Sequence, residues 1–428
     1  SRRQRQMCIR DRIERGKNMN LFEELKWRGL IHNVTDEKVI EKINHDQMIF
    51  YLGTDPTGDS LHVGHLLVFI FAKRLEQAGH HPIILIGGAT GTIGDPKPTA
   101  ERKLLSKEQT EHNAQCLYEQ VSRLFHCEMV NNYDWTHHID ILTFLRSYGK
   151  FFNVNYMMNK ETVKSRLDSG ISYTEFSYQI LQAMDFEHLF KTKNCTLQIG
   201  GQDQWGNITS GLELIRKLHG TDAEAYGITV PLFTKSDGTK FGKTEGGAIW
   251  LDANKTSPYA FYQFWINTPD NDVIRELKQF TFLSKEEIET LEESFHNEPH
   301  VRAAQKALAK EMTIMIHGEK AYNQALKLSE ALFSGKIADL TKEEIAMGFE
   351  GVPTLEIAEE IGLIDALVSL KAASSKREAR DFIQGGGVSV NGVQIKDLTK
   401  VLSKEEAIGN TYTVVRRGKK NYFLVIHK

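Results

Sequence analysis

Cysteine is sparse in this chain: four residues (Cys8, Cys116, Cys127, Cys195) in 428, with no C-x-x-C pair. Neither a zinc ribbon nor a disulfide framework is expected, and the chain suits a reducing compartment. No apolar run approaches the ~18 residues that would cross a bilayer, so no membrane span or membrane partner is expected. No secretory pattern opens the chain, which points to a cytoplasmic protein. A large charge excess is missing too. Net charge is −3, so the molecule as a whole is no general polyanion binder, and any nucleic-acid surface must be local. Internal repeats, low-complexity tracts and the G-x-G-x-x-G fingerprint are all absent, and the last absence leaves nicotinamide binding unsupported.

What remains is an ordinary globular composition, 40% apolar and 25% charged, in a chain long enough for two to four domains. Residues 1–18 stand apart. Met7-Cys8-Ile9-Arg10-Asp11-Arg12 resembles the translation of a transposon-type sequencing adapter, and the alternative is a natural basic tail. The expected start is Met19, where an amphipathic stretch begins (Leu21, Leu25, Trp27, Leu30).

Residues 19–248 alternate short apolar runs with helical periods. Strands are expected at Met48–Leu52, Pro82–Ile86, Met129–Asn131, Thr196–Ile199 and Ile228–Leu232, and helices at Leu66–Ala78 and Lys107–Phe125. This alternation predicts an α/β fold, a Rossmann-like parallel sheet with helices on both faces. Ligands gather beyond the carboxyl ends of such strands. Residues 249–335 read as an α-helical domain, with a capping box at Ser284–Glu287. Residues 336–352 read as a linker. Residues 353–428 form a small α+β module, with a capping box at Ser375–Glu378, a helix ended by Gly385-Gly386-Gly387, and a hairpin over Val388–Ile395 turning at Asn391-Gly392.

Two signatures lie about 180 residues apart. His62-Val63-Gly64-His65 sets two imidazoles on one face of a helix's first turn, where free N–H groups and the dipole favour anions. Gly64 leaves room for a nucleotide ring. Lys240-Phe241-Gly242-Lys243-Thr244 follows an Asp-Gly turn and carries two ammonium groups and a hydroxyl, donors suited to a phosphate chain. Alone, the first could be two surface histidines and the second a solvated basic turn. Their order and spacing favour a site that activates a carboxylate with ATP. No third ligand motif joins the histidines, so no protein-held metal is expected. His80-His81 and His137-His138 read as solvated or packing residues.

Between the signatures, Ser172-Tyr173-Thr174-Glu175 looks like another capping box. Tyr178, Gln182 and Asp185 then share one face of an otherwise apolar helix, either a pocket wall or a wet face. Gly200-Gly201-Gln202-Asp203-Gln204 follows a strand, with glycines permitting close approach and Asp203 suited to a ribose. Gly87–Gly91 and Gly94-Asp95-Pro96 form a similar turn.

Over residues 19–428 the chain resembles the bacterial tyrosyl-tRNA synthetases, class I enzymes. The first signature matches the HIGH motif and the second the KMSKS motif in the form K-F-G-K-T. Tyr51, Asp55, Asp95, the Tyr178–Asp185 helix and Gly201–Asn207 match the tyrosine-specific surroundings. The C-terminal module resembles a small RNA-binding fold first named for a ribosomal small-subunit protein.

The resemblance implies roles. Tyr51 and Asp185 would bond the substrate phenol, while Asp95, Tyr178 and Gln182 hold its ammonium and Gln204 lies near its carboxylate. Thr57 and His62 would contact the β,γ-phosphates and His65 the nucleotide. Asp203 would take the ribose, with Asp55, Gly64 and Gly201 around the ATP. Lys240, Lys243 and Thr244 would close on pyrophosphate. Magnesium would enter with ATP as co-substrate, with no tightly bound cofactor. The partners implied are L-tyrosine, ATP, the tyrosine tRNA and a second copy of the chain. Two departures stand out: Leu52 replaces a cysteine of many relatives, and a shortened turn after Asp95 leaves Lys97 without a clear counterpart. Arg102 matches a mobile-loop arginine.

The chemistry is consistent with this. The attacking carboxylate is already ionised and pyrophosphate is already a good leaving group, so positioning and charge stabilisation suffice without a general base. A buried Tyr51/Asp185 pair would be left unpaired by phenylalanine. From Lys371 onward there are 12 Lys+Arg against 5 Asp+Glu. Lys376, Arg377, Arg380, Arg416 and Lys419 are candidates for RNA phosphate contact, or else a solvated face. The competing readings are the tryptophan enzyme of the same class, a pantothenate synthetase, and a non-catalytic RNA-binding paralogue such as a splicing cofactor.

Overall fold

The computed structural model describes residues 19–97, 104–234, 247–418 and 421–428. Its described residues form two compact units, one reaching to Lys255 and including Thr268–Leu308, the other made of Thr256–Asn267 and Ala309 onward.

The first unit is built on a six-stranded sheet: β1 Asn33–Val34, β2 Ile49–Thr54, β3 His81–Ile86, β4 Glu128–Asn131, β5 Leu197–Gly201 and β6 Tyr226–Val230. The order is β1-β6-β5-β2-β3-β4. All neighbours are parallel except the short edge strand β1, which pairs antiparallel with β6. The positions of β2 to β6 agree with expectation to within two residues, and the two-residue β1 was not expected. Their residues are apolar on both faces because helices cover both. The first-signature helix, α1 Val63–Gln77, shows why: Leu66, Leu67, Phe69, Ile70, Phe71, Ala72 and Leu75 are all buried, so it is apolar almost all round.

Chain order runs outward from β2 to β3 and β4 on one side, and from β5 to β6 on the other. The reversal point therefore lies between β2 and β5, and their carboxyl ends, Thr54 and Gly201, open onto the crevice where ligands bind in such sheets. The other helices of this unit used below are α2 Lys107–Leu124, α3 Tyr173–Lys193 and α4 Trp205–His219.

In the second unit, helices α5 Pro258–Ile266, α6 Glu319–Ser334 and α7 Lys342–Gly348 share a core of Leu328, Ile337, Leu340, Ile345 and Phe349 with Val414 and Leu424. Residues 336–352, expected as a linker, thus carry a helix closed by a full Thr341–Glu344 capping box. A five-stranded sheet follows, with β7 Thr354–Ile357, β8 Val388–Val390, β9 Val393–Gln394, β10 Tyr412–Arg417 and β11 Asn421–His427 in the order β9-β8-β10-β11-β7. Its hairpin turns where expected. Asn391 and Gly392 have φ of 48° and 87°, the paired positive values of a type I′ turn. A Cβ on Gly392 would lie 1.9 Å from the Gly335 carbonyl.

Two expected capping boxes are only half formed. Ser172 and Ser375 each accept from the N–H three residues on. Glu175 however accepts from Arg166 at 3.0 Å, and Glu378 accepts from Ser374. In each case a nearer or stronger donor takes the glutamate.

Candidate active site

Asp185 anchors the pocket at the heart of the first unit. It projects from α3, is 2% exposed, and accepts at 2.9 Å from both Asn132 Nδ2 and Trp135 Nε1. Burial pushes its carboxyl up to about 7, with the two donors pulling the other way. Tyr51, on β2 beside it, is 1% exposed. Its hydroxyl has no hydrogen-bond partner among the described residues. Burial, and then Asp185, hold its pKa well above the phenolic norm. A buried unpaired hydroxyl costs about 1–3 kcal/mol, and a donor-acceptor group reaching both Tyr51 and Asp185 would remove that cost.

A chain of hydrogen bonds carries the pocket toward the crevice. Asn132 Nδ2 also donates to Thr90 Oγ1 (2.9 Å), Thr90 donates to Asp55 (2.7 Å), and the Tyr178 hydroxyl donates to the other Asp55 oxygen (2.8 Å). Asp55, assigned to the nucleotide from resemblance, is thus engaged with the pocket wall. Gly87 makes room for this: a Cβ there would stand 2.1 Å from Asp55 Oδ1 and 2.4 Å from Thr90 Oγ1. Asp95 accepts from Gln204 (2.8 Å) and Asn207 (3.1 Å). Burial raises its carboxyl to about 6 against these donors. Gln182 is half-buried on the face that carries Tyr178 and Asp185, while Gly201 is buried at the end of β5 and Asp203 is exposed just beyond it.

The histidine corner works differently. His62 is the N-cap of α1, and its Nδ1 accepts from the Gly64 N–H at 3.0 Å. His65 Nδ1 accepts from the His62 N–H at 3.2 Å. Together they close a capping box made of imidazoles. Burial lowers both pKa values, His65 to about 3, where His62 adds to the effect. Both rings are therefore neutral at pH 7. Because each Nδ1 is an acceptor, the proton sits on Nε2, which is left as a donor. The rings stack at 3.9 Å. Thr57 is exposed in the turn between β2 and this corner.

Lys240, Lys243, Thr244, Arg102 and Lys419 lie outside the described residues, as does the 1–18 stretch. In the C-terminal module Arg377 and Arg380 are exposed. Lys376 pairs with Asp365 at 2.6 Å, and Arg416 donates to Ser389 Oγ at 3.2 Å. Leu52 is buried, and the Lys97 carbonyl accepts from Arg166 at 2.8 Å. His80 packs as expected, with Nδ1 accepting from the Met48 N–H and Nε2 near the Ile43 carbonyl. Sequence reasoning missed Asn132, Trp135 and Thr90 as site residues. The signal for Asn132 was its place directly after a strand of the parallel sheet.

Comparison with known proteins agrees with this geometry. The family described as tRNA synthetases class I (W and Y) matches residues 43–334, and the tyrosine–tRNA ligase SYY-like C-terminal domain matches 344–425. A tyrosine–tRNA ligase of Listeria welshimeri is 55% identical over 96% of this chain and 100% of its own. The chain belongs to the tyrosyl-tRNA synthetase family. A second relative, tyrosine–tRNA ligase 2 of Bacillus cereus, is 53% identical over 95% of this chain and 99% of its own. Among solved structures, a C-terminally truncated mitochondrial tyrosyl-tRNA synthetase of Aspergillus nidulans superposes with a TM-score of 0.66 at 32% identity, covering 76% of this chain and 97% of that one. A tryptophanyl-tRNA synthetase of Encephalitozoon cuniculi reaches 0.54 at 16% identity, over 75% and 91%, a likeness of fold alone.

Proposed function

We infer that the chain activates L-tyrosine with ATP and transfers it to the terminal ribose of its tRNA. The observation that carries the choice of amino acid is a buried pair: Asp185, held by Asn132 and Trp135, near the unpartnered Tyr51 hydroxyl. A substrate phenol donates to the Asp185 carboxylate and accepts from Tyr51. Asp95, Tyr178 and Gln182 hold the ammonium and Gln204 the carboxylate end. The indole of tryptophan offers a donor but no acceptor for Tyr51.

In the first step a substrate carboxylate oxygen forms a bond to the α-phosphorus and the bond to pyrophosphate breaks. Charge grows on the leaving phosphates. His62 contributes an Nε2–H donor to them from the start of α1, with the Thr57 hydroxyl, and His65 contacts the nucleotide. Lys240 and Lys243 contribute positive charge and Thr244 a hydroxyl. Asp203, with Gly64 and Gly201, takes the nucleoside. In the second step a hydroxyl of the terminal ribose attacks the mixed anhydride, the ester forms, and AMP leaves. Magnesium belongs with ATP as its counter-ion.

The residue count from Lys371 onward and the exposed Arg377 and Arg380 favour an RNA-facing role for the module that starts at 353, which follows an anticodon-side helical stretch at 249–335 in the chain. A homodimer fits the exposed Ile141, Leu142, Leu145, Val154 and Tyr156, an unusual run of bare apolar side chains. A cytoplasmic location goes with the same reading; among the described residues no helix is long and apolar enough to cross a membrane.

The direct test is pyrophosphate exchange with each standard amino acid, followed by charging of purified tRNA. Exchange with tyrosine alone supports the reading. Exchange with tryptophan, or none with any amino acid, overturns it.

A further inference from the structure

The segment that follows the second signature in sequence returns to the first. Val63 N–H donates to the Ile249 carbonyl at 3.0 Å, and Leu251 N–H donates to the Leu61 carbonyl at 2.9 Å. This puts His62 opposite Trp250 in a short antiparallel bridge. The two rings then meet edge to face, with centroids 5.9 Å apart and planes at 69°. Lys255 Nζ lies 5.2 Å from the Trp250 ring and pairs with Asp59 at 2.5 Å. Asp252 N–H donates to Ser60 Oγ at 3.3 Å, and Gln120 of α2 bonds both Ser60 Oγ and the Leu61 N–H. A line of contacts, Asp59–Lys255–Trp250–His62, thus leads to the start of α1.

The His62 ring has few ways left to move. Its Nδ1 is held by Gly64 N–H, one face lies on His65, and Trp250 meets it from another side. From these contacts we propose that Trp250 is a positioning residue for activation, holding the His62 imidazole so that its Nε2–H points at the departing phosphates. The proposal rests on the reading of His62 as a phosphate donor. Trp250 is half-buried, and its ring meets that of His62, so a loss of positioning should be read in kcat. An aromatic pair of this kind is worth enough to change a rate about three- to tenfold.

The test is a double-mutant cycle in pyrophosphate exchange, with Trp250→Leu, Trp250→Phe, His62→Ala and the Leu/Ala double variant, each checked for its melting temperature. Trp250→Leu is expected to lower kcat about three- to tenfold with KM for tyrosine unchanged. Trp250→Phe, which keeps an aromatic edge, should recover most of that loss. In the His62→Ala background the Leu substitution should have no further effect, because nothing is left to position. A Trp250→Leu loss that persists undiminished without His62 would make Trp250 a scaffold residue and overturn the proposal. So would an unchanged kcat in Trp250→Leu, or a rise in KM for tyrosine with kcat intact. If His62→Ala itself leaves exchange unchanged, the phosphate-donor reading of His62 fails first and the proposal falls with it.

Discussion

Burial acts in opposite senses on the carboxyls near Tyr51 and on the histidine corner at the start of α1. Burial raises the carboxyls of Asp185 and Asp95, to about 7 and about 6, and lowers the imidazoles, His65 to about 3. Desolvation disfavours charge whichever its sign. The difference lies in what opposes it. Asp185 and Asp95 are each held by two side-chain donors, which favour the ionised form against burial. Burial keeps the histidines neutral, and because each Nδ1 accepts from a backbone N–H, the proton sits on Nε2. One region presents an acceptor, the other Nε2–H donors, and each is set by its immediate partners.

The comparison breaks most sharply at Asp185. Asp185→Asn replaces an acceptor by an amide that must face the Asn132 and Trp135 donors. The tyrosine kcat/KM in pyrophosphate exchange should fall by about a hundredfold or more, with circular dichroism unchanged. Normal exchange would remove Asp185 from the pocket. Next, Gly87→Ala would drive a Cβ into Asp55 and Thr90. About 1–3 kcal/mol of stability and roughly tenfold in kcat/KM should be lost, read by thermal melting and exchange. A neutral outcome would mean that the Asn132–Thr90–Asp55–Tyr178 chain does not hold the pocket. Leu142→Glu probes the bare apolar run and should shift the light-scattering mass from two chains to one.

The pH dependence sharpens the contrast further. Asp185 has a folded pKa of about 7 against an ordinary value near ~4. Between those values the folded state holds a proton the unfolded state has released, so this group's contribution to stability falls as pH rises through the window. His65, at about 3 against an ordinary ~6.5, has the opposite sign. Its folded state binds fewer protons across that window, and its contribution grows as pH rises. Between about pH 4 and 6.5 the two terms oppose each other, so the melting temperature should gain a more positive slope with pH in Asp185→Asn and a more negative one in His65→Asn. Parallel curves for the two variants would contradict the contrast. The smallest effect is expected in the C-terminal module. Arg377→Ala with Arg380→Ala should weaken tRNA binding modestly and lower its salt slope by about one for each arginine removed.

Much of the first unit is legible in the sequence. Parallel-sheet strands are apolar runs of fixed length, and helices declare themselves by period and cap, so β2, β3, β4 and β5 could be placed from patterns local in sequence. The common face of Tyr178, Gln182 and Asp185 is a property of helix geometry alone. Asn132 and Trp135 were not legible as site residues, because their partner lies about 50 positions away and only the pairing of β3 with β4 brings them to α3. The same holds for Glu175, whose capping role was a fair local reading until Arg166 came within reach.

The reaction class is written in one dimension: two donor-rich signatures, a parallel-sheet pattern between them and a basic tail module each rest on spacing within a few residues. The protonation and tautomer of the site's titratable groups come from the folded surroundings. Asp185 is a buried acceptor held by two distant donors, and His62 a neutral Nε2–H donor packed against Trp250. Charge state depends on desolvation and on which neighbours arrive from other elements, and neither is written in local spacing.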